Sequence, residues 1–136
     1  MSVPTAAPHV QAVLAALEAA LPDSYAVCDE QGPRDPLASV PYVVVFAEPG
    51  DMSPGPFNAN RDLLMLLPIR SVGLTPEQAR AGSDRVRAVM LGGNVTVDGR
   101  GVTITQDAGS STSDRDDSLS TPLFWDLVVY RLRSTG

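Results

Sequence analysis

The stretch Ser71–Gly93, "SVGLTPEQARAGSDRVRAVMLGG", fixes how the chain turns from strand to helix. Thr75 stands where a helix N-cap belongs, Pro76 at the first helical position, and Gln78 at the third, which completes a capping box. Glu77 adds negative charge where the helix dipole favours it. Gly92 and Gly93 close the far end. These signals predict a helix over about 76–91. At helical spacing Ala79, Gly82, Ser83, Val86 and Met90 share one face. That face is built of small residues near its start, so the helix lies close on a sheet or on another helix.

Immediately upstream, "RDLLMLLPIRSVGL" is apolar and ends in alternation, which predicts a strand with Pro68 at an edge or bulge. "VPYVVVFAEPG" is short, β-branched and aromatic, as a strand buried on both faces should be. "SYAVCDE" reads as a shorter strand and "QGPRDPLAS" as a polar loop. Val10, Val13, Leu14, Leu17 and Leu21 recur at helical spacing and predict a first helix from about Pro8 to Ala20. Downstream, "NVTVDGRGVTITQD" alternates on both sides of Asp98–Gly99 and reads as a β-hairpin. "AGSSTSDRDDSLST" has no apolar anchor in its middle and reads as a mobile loop. "PLFWDLVVYRLR" is a long final strand, with Phe124, Asp126, Val128 and Tyr130 on one side and Trp125, Leu127, Val129 and Arg131 on the other. The element order implies an α+β fold. One mixed, mostly antiparallel β-sheet carries two α-helices packed on one face and a protruding β-hairpin. Residues 1–136 are expected to form a single domain, with long loops at about 47–61 and 107–121.

Composition narrows the function. The chain of 136 residues is 43% hydrophobic, enough for a globular core without disulfides or metal. Cys28 is its one cysteine, so no intrachain disulfide is possible, which fits a reducing compartment. No apolar run approaches the roughly 20 residues of a membrane helix, and "MSVPTAAPHV" has neither the basic residue nor the apolar core of a signal peptide. The net charge of −6 argues against nucleic-acid binding as the main task, because such binders draw their affinity from phosphate neutralisation. All ten basic residues are arginine, planar forks suited to bidentate carboxylate pairs.

Few residues offer chemistry. His9, the only histidine, has no sequence neighbour that suggests a catalytic or metal role and reads as a surface residue. Cys28 falls inside a predicted strand with no adjacent base, as a small buried apolar residue. The tract holding Asp114, Arg115, Asp116 and Asp117 lacks the glycine and distal glutamate of a calcium loop. It reads as a solvated acidic loop; weak divalent-ion binding or docking to a basic partner is the sharper alternative. No phosphate loop and no nucleophile elbow is present, so neither catalytic, cofactor-binding nor metal-ligating residues are assigned and an enzyme is not expected. On the second helix Arg80, Asp84 and Arg87 share a flank at spacings of four and three, and Arg85 points nearly opposite. They form either a solvated face or arginine–carboxylate contacts to a neighbouring subunit.

Several of these stretches in order, "VLAALEAALPD", "VPYVVVFAEPG", "IRSVGLTPEQARAGSDRVRAVMLGG", "VTVDGRGVTI" and the last strand, resemble the tail terminator proteins of long-tailed bacteriophages, also called minor tail protein U or tail-completion proteins. The resemblance covers nearly the whole chain; it departs at Gly82, where relatives often carry a larger apolar residue, and at the unusually apolar "LLMLLPIR". It implies a structural virion protein without catalysis or cofactor, assembled in the host cytoplasm and placed at the head–tail junction. It implies a homo-hexameric ring that caps the head-proximal end of the tail tube, stops tube growth and presents a joining surface to the head–tail connector. The partners implied are other copies of the chain, the tail tube protein and the connector. DNA would pass through the ring without sequence-specific binding, and no membrane is involved. The two long loops, with Asp114, Arg115, Asp116 and Asp117, would face a partner or the lumen. The reading from another class is a small-ligand-binding or enzymatic α+β domain in which loop 47–61 is a lid.

Overall fold

A computed structural model describes residues 5–48, 51–52, 62–107 and 112–136. The elements in chain order are α1 (Ala6–Ala20), β1 (Ala26–Asp29), α2 (Pro36–Ser39), β2 (Tyr42–Val45), β3 (Asp51–Met52), β4 (Leu63–Gly73), α3 (Pro76–Leu91), β5 (Gly101–Gln106), β6 (Thr112–Asp116) and β7 (Leu123–Thr135). They form the expected α+β architecture. One mixed sheet has the order β1-β2-β4-β7-β5, with β3 also on β4 and β6 also on β7. Only β1 and β2 are parallel; the other pairs are antiparallel.

The spine of the sheet is the pair β4–β7, in register from Leu63 opposite Ser134 to Gly73 opposite Phe124. Alternation along β4 sends Leu63, Met65, Leu67 and Ile69 to the face that α1 and α3 cover, where they meet Val13, Leu17, Val86, Met90, Val128, Tyr130 and Leu132. The opposite face has a smaller core of Tyr42, Val44, Val72 and Leu123, packed with Leu37 of α2 and Trp125.

Pro68 lies in a central strand and the one-to-one register runs through it without a bulge, contrary to the edge or bulge expected. Its carbonyl accepts from Phe46 N at 2.8 Å, so its nitrogen faces the same neighbour and has no proton to return. The last β2–β4 pair is Val45 with Ile69, one residue before the proline. Pro68 is tolerated because β2 ends there.

The α3 signals act as read. Thr75 Oγ1 accepts from Gln78 N at 3.1 Å, while Gln78 Oε1 reaches back to Leu74 N at 2.7 Å. The buried face is Ala79, Gly82, Ser83, Val86, Val89 and Met90. In α1, Thr5 is the N-cap and the helix begins at Ala6, two residues before the expected Pro8.

Three other expectations change. The hairpin about Asp98–Gly99 keeps its turn, with Gly99 at φ 73° and Arg100 N donating to Val97 O. Residues 94–97, however, form no strand, and β5 pairs with β7 instead. Val95 satisfies the apolar alternation by burial in the core, and Asn94 Nδ2 donates to Val89 O near the end of α3. The polar tract expected as a loop at 107–121 contains β6, which forms a hairpin with β7. The proline-rich loop before β2 contains the one-turn α2, whose N-cap Asp35 accepts from Ala38 N. Of loop 47–61, Asp51–Met52 pair with β4, and 49–50 and 53–61 lie outside the described residues.

Gly82 sets how closely α3 approaches the sheet. A Cβ there would collide with Ser71 Oγ and come within 3.3 Å of a Tyr25 ring carbon. Ser71 Oγ is buried and has no hydrogen-bond partner among the described residues. Gly82→Ala should therefore cost about 1–3 kcal/mol by overpacking. Ser71→Ala should be close to neutral, because it deletes an unsatisfied hydroxyl. The double variant should recover most of the Gly82→Ala loss in urea unfolding, and equal losses in single and double variants would show that Ser71 is not the obstacle.

Candidate assembly surface

Among the described residues no group of three His, Cys, Asp or Glu side chains is placed to hold a metal ion. No helix is long and apolar enough to cross a membrane. The residues with reactive chemistry are spent on structure. His9 is buried, 1% exposed, contrary to the surface position expected. Its Nδ1 is 2.7 Å from Thr5 O and its Nε2 2.7 Å from Ser134 Oγ. A carbonyl only accepts, so Nδ1 donates to Thr5 O, and Nε2 shares the second hydrogen bond with the Ser134 hydroxyl. Arg100 Nε donates to that same Ser134 oxygen, and Arg100 Nη2 to Ser134 O at 3.1 Å. The histidine–serine contact has the look of a nucleophile and its base, but Ser134 is wholly buried. It ties the start of α1 to the end of β7. Cys28 is half-buried in the smaller core, and burial pushes its thiol pKa up, away from the reactive thiolate.

The charged residues expected at contacts fall into three places. Arg87 lies between Asp84, at 3.1 Å, and Gln106 Oε1, at 3.2 Å, so it joins α3 to the end of β5. Arg80 lies elsewhere, in a groove of about 250 Å3 with Pro76, Asp114, Arg115, Phe124 and Asp126. This groove brings together residues from both expected sets, Arg80 from the helix and Asp114 and Arg115 from the polar tract. Arg85 is exposed on α3, outside both. Within the tract, Arg115 pairs with Asp117 and its guanidinium lies 5.9 Å from the Phe124 ring centre. Asp116 is held below the usual carboxylate range by hydrogen bonds from Ser118.

The face of the sheet opposite α1 and α3 carries a feature no sequence motif marks. The Arg70 guanidinium stacks on Trp125, 4.5 Å from the ring centre, with Phe46 at 5.5 Å. Its Nε is buried without a partner among the described residues. Arg131 and Arg133 extend this row along β7, paired with Asp107 at 3.0 Å and Asp62 at 3.4 Å. Arg70 and Trp125 are far apart in sequence. Only the β4–β7 register, which sets Val72 opposite Trp125 and Arg70 opposite Leu127, makes them neighbours. The expected lid, 47–61, lies mostly outside the described residues, so nothing here favours the ligand-binding alternative.

No protein-family model matches the chain, and no curated protein matches it. Among solved structures, a chain from the virion of a native gene transfer agent particle has the same fold, with a TM-score of 0.57. The likeness covers 97% of this chain and 92% of that one at 18% identity, so the two folds correspond end to end.

The flank bearing Asp84 and Arg87 also overlies Tyr130. Burial pushes that phenol up to about 12, with Arg87 lowering and Asp84 raising it. Its hydroxyl has no partner among the described residues. The folded state thus favours the neutral phenol, a preference fully present below the ordinary value near 10 and lost as pH rises from 10 to 12. Wild type should lose about 2 kcal/mol over that window from this group. Tyr130→Phe should be neutral or slightly stabilising at pH 7 and should lose correspondingly less in alkaline urea titrations.

Proposed function

We propose that this chain is a structural protein of a phage-like virion and that it acts as a tail terminator. In this reading copies form a homo-hexameric ring on the head-proximal end of the tail tube, stop its growth and offer the head–tail connector a joining surface. The observation that carries the reading is the end-to-end fold match with a chain of a gene transfer agent virion. The ordered resemblance of five stretches to tail terminators narrows it from virion protein to that position. The buried histidine and serine and the half-buried thiol agree with a role in which geometry, not bond chemistry, does the task. The ring would carry DNA through its lumen without sequence-specific contacts, and the acid excess suits passage without adhesion.

Light scattering after size exclusion, with tail tubes present, should give a hexamer mass on the tube end. Particles lacking the protein should show tails of uncontrolled length by electron microscopy. A chain that ignores tubes, with tails of normal length in its absence, would overturn the reading. Arg80, Asp84, Arg85 and Arg87 are the proposed subunit contacts, and the Asp114–Asp117 tract is proposed to face a partner or the lumen. Charge reversal at Arg80, Arg85 and Arg87 singly should weaken ring assembly in the same scattering measurement. Reversal at Arg87 should also lower fold stability by up to about 1 kcal/mol, since it breaks the exposed tie to Asp84 and Gln106. A ring untouched by all three changes would leave these arginines as solvated charges.

A further inference from the structure

The sheet ends in two open edges. Among the described residues no strand pairs with the outer side of β1 or of β5. Proteins that stay monomeric blunt such edges with charge, proline or bulges. The β5 segment, "GVTITQ", has none of these over six residues. Beside it runs a depression of about 170 Å3 between strand and helix, lined by Met90, Leu91, Val95, Val102 and Ile104. Leu91 is 45% exposed at its rim.

The backbone polarity of the two edges can be read from the ladders. Asp107 N donates to Val129 O, so the hydrogen-bonded positions toward β7 are 101, 103, 105 and 107. The free N–H and C=O groups of β5 therefore belong to Val102, Ile104 and Gln106. On the other edge, Ala26 N donates to Pro41 O and Glu30 N to Val45 O, so residues 26, 28 and 30 are turned to β2. The free groups of β1 belong to Val27 and Asp29. Val27, Val102 and Ile104 all pack against the core on the helix-covered face. Both edges thus offer outward backbone groups from residues whose side chains lie on the same face of the sheet. The strand directions also agree: following the pairings across the sheet, β1 and β5 run in opposite senses.

We infer that β5 of one copy pairs antiparallel with β1 of the next, which joins the two sheets into one with α1 and α3 of every copy on the same side. The register that sets apolar against apolar puts Val27 opposite Ile104 and Asp29 opposite Val102. It puts Cys28 opposite Thr103 at a position without mutual hydrogen bonds, where Cα atoms approach to about 4.5 Å. The same pairing carries α1, which packs beside β1, toward Leu91 and the apolar depression. Because the two edges differ, the contact is head-to-tail, and repeated it closes a ring or grows a filament. This inference rests on the ring reading and names the surface that makes the ring.

The single cysteine gives the test. Thr103→Cys keeps Cys28 and places a second thiol on the face of β5 turned away from α1 and α3, at a separation a disulfide can span. Oxidation of this variant on tail tubes should give a reducible ladder of covalent oligomers beyond the dimer on gels. The ladder should vanish in Thr103→Cys with Cys28→Ser, and Val102→Cys, which points to the other face, should give none. Dimers alone, persisting in the Cys28→Ser background, would show β5 paired with β5 and overturn the inference. A hexamer seen by light scattering with no ladder would overturn the edge pairing and leave the ring standing. The absence of any oligomer would overturn both.

Discussion

The pairing of β4 with β7 is the constraint on which the rest of the molecule depends. Eleven consecutive residue pairs hold the two strands, and each has a second partner on its far side. The partners come in pieces: β3 and then β2 along β4, β6 and then β5 along β7. Pro68 shows why. A proline at the centre of a sheet removes one ladder donor, and the regular ladder of β2 ends one residue before it, although Phe46 N and Glu48 N still donate to Pro68 O and Leu66 O. Length in β4 and β7 and brevity elsewhere have the same cause. Two long strands supply a template, and short segments attach wherever backbone groups remain free.

That division also explains which elements could be read from the residues. The helix α3 is legible to its ends because every signal is local: Thr75, Pro76 and Gln78 at the start, Gly92 and Gly93 after the finish, and a face of small residues between. The strands β2, β4 and β7 show themselves by apolar side chains that must be buried. β6 does not, since "TSDRD" attaches to β7 through backbone bonds and polar contacts such as Ser113 to Asp126, which leave no apolar pattern. Residues 94–97 show the converse error. Val95 and Val97 alternate as a strand should, but Val95 is buried by packing under the end of α3, with no ladder involved. Periodicity reports burial, and burial has more than one route.

The candidate surface was legible in kind and not in place. An acidic chain with only arginine cations points to carboxylate pairing, and the spacing of three already puts Asp84 within reach of Arg87, yet nothing local says that Gln106 also holds Arg87 while Arg80 lines a groove with Asp114. His9 is the clearest case. Its partner, Ser134, is 125 positions away, and no neighbour in sequence hints at burial. The edges are equally hidden, because an edge is defined by what fails to pair, and that is a property of the whole sheet.

One regularity ties composition to the face opposite α1 and α3. Each arginine on it stands opposite a leucine across the β4–β7 ladder: Arg133 with Leu64, Arg131 with Leu66, Arg70 with Leu127. Arginine lays an apolar stem over such neighbours while its head stays hydrated or paired. Here two heads pair with Asp107 and Asp62, and the third stacks on Trp125 and Phe46. A sheet face rich in leucine can thus stay half-covered with only the one-turn α2 against it. Lysine has no planar head to stack or to fork, so the all-arginine composition has a structural use on this face whatever its origin. It leaves α1 and α3 on one side, and with them a molecule whose two sheet edges and most of one face are open to other protein chains.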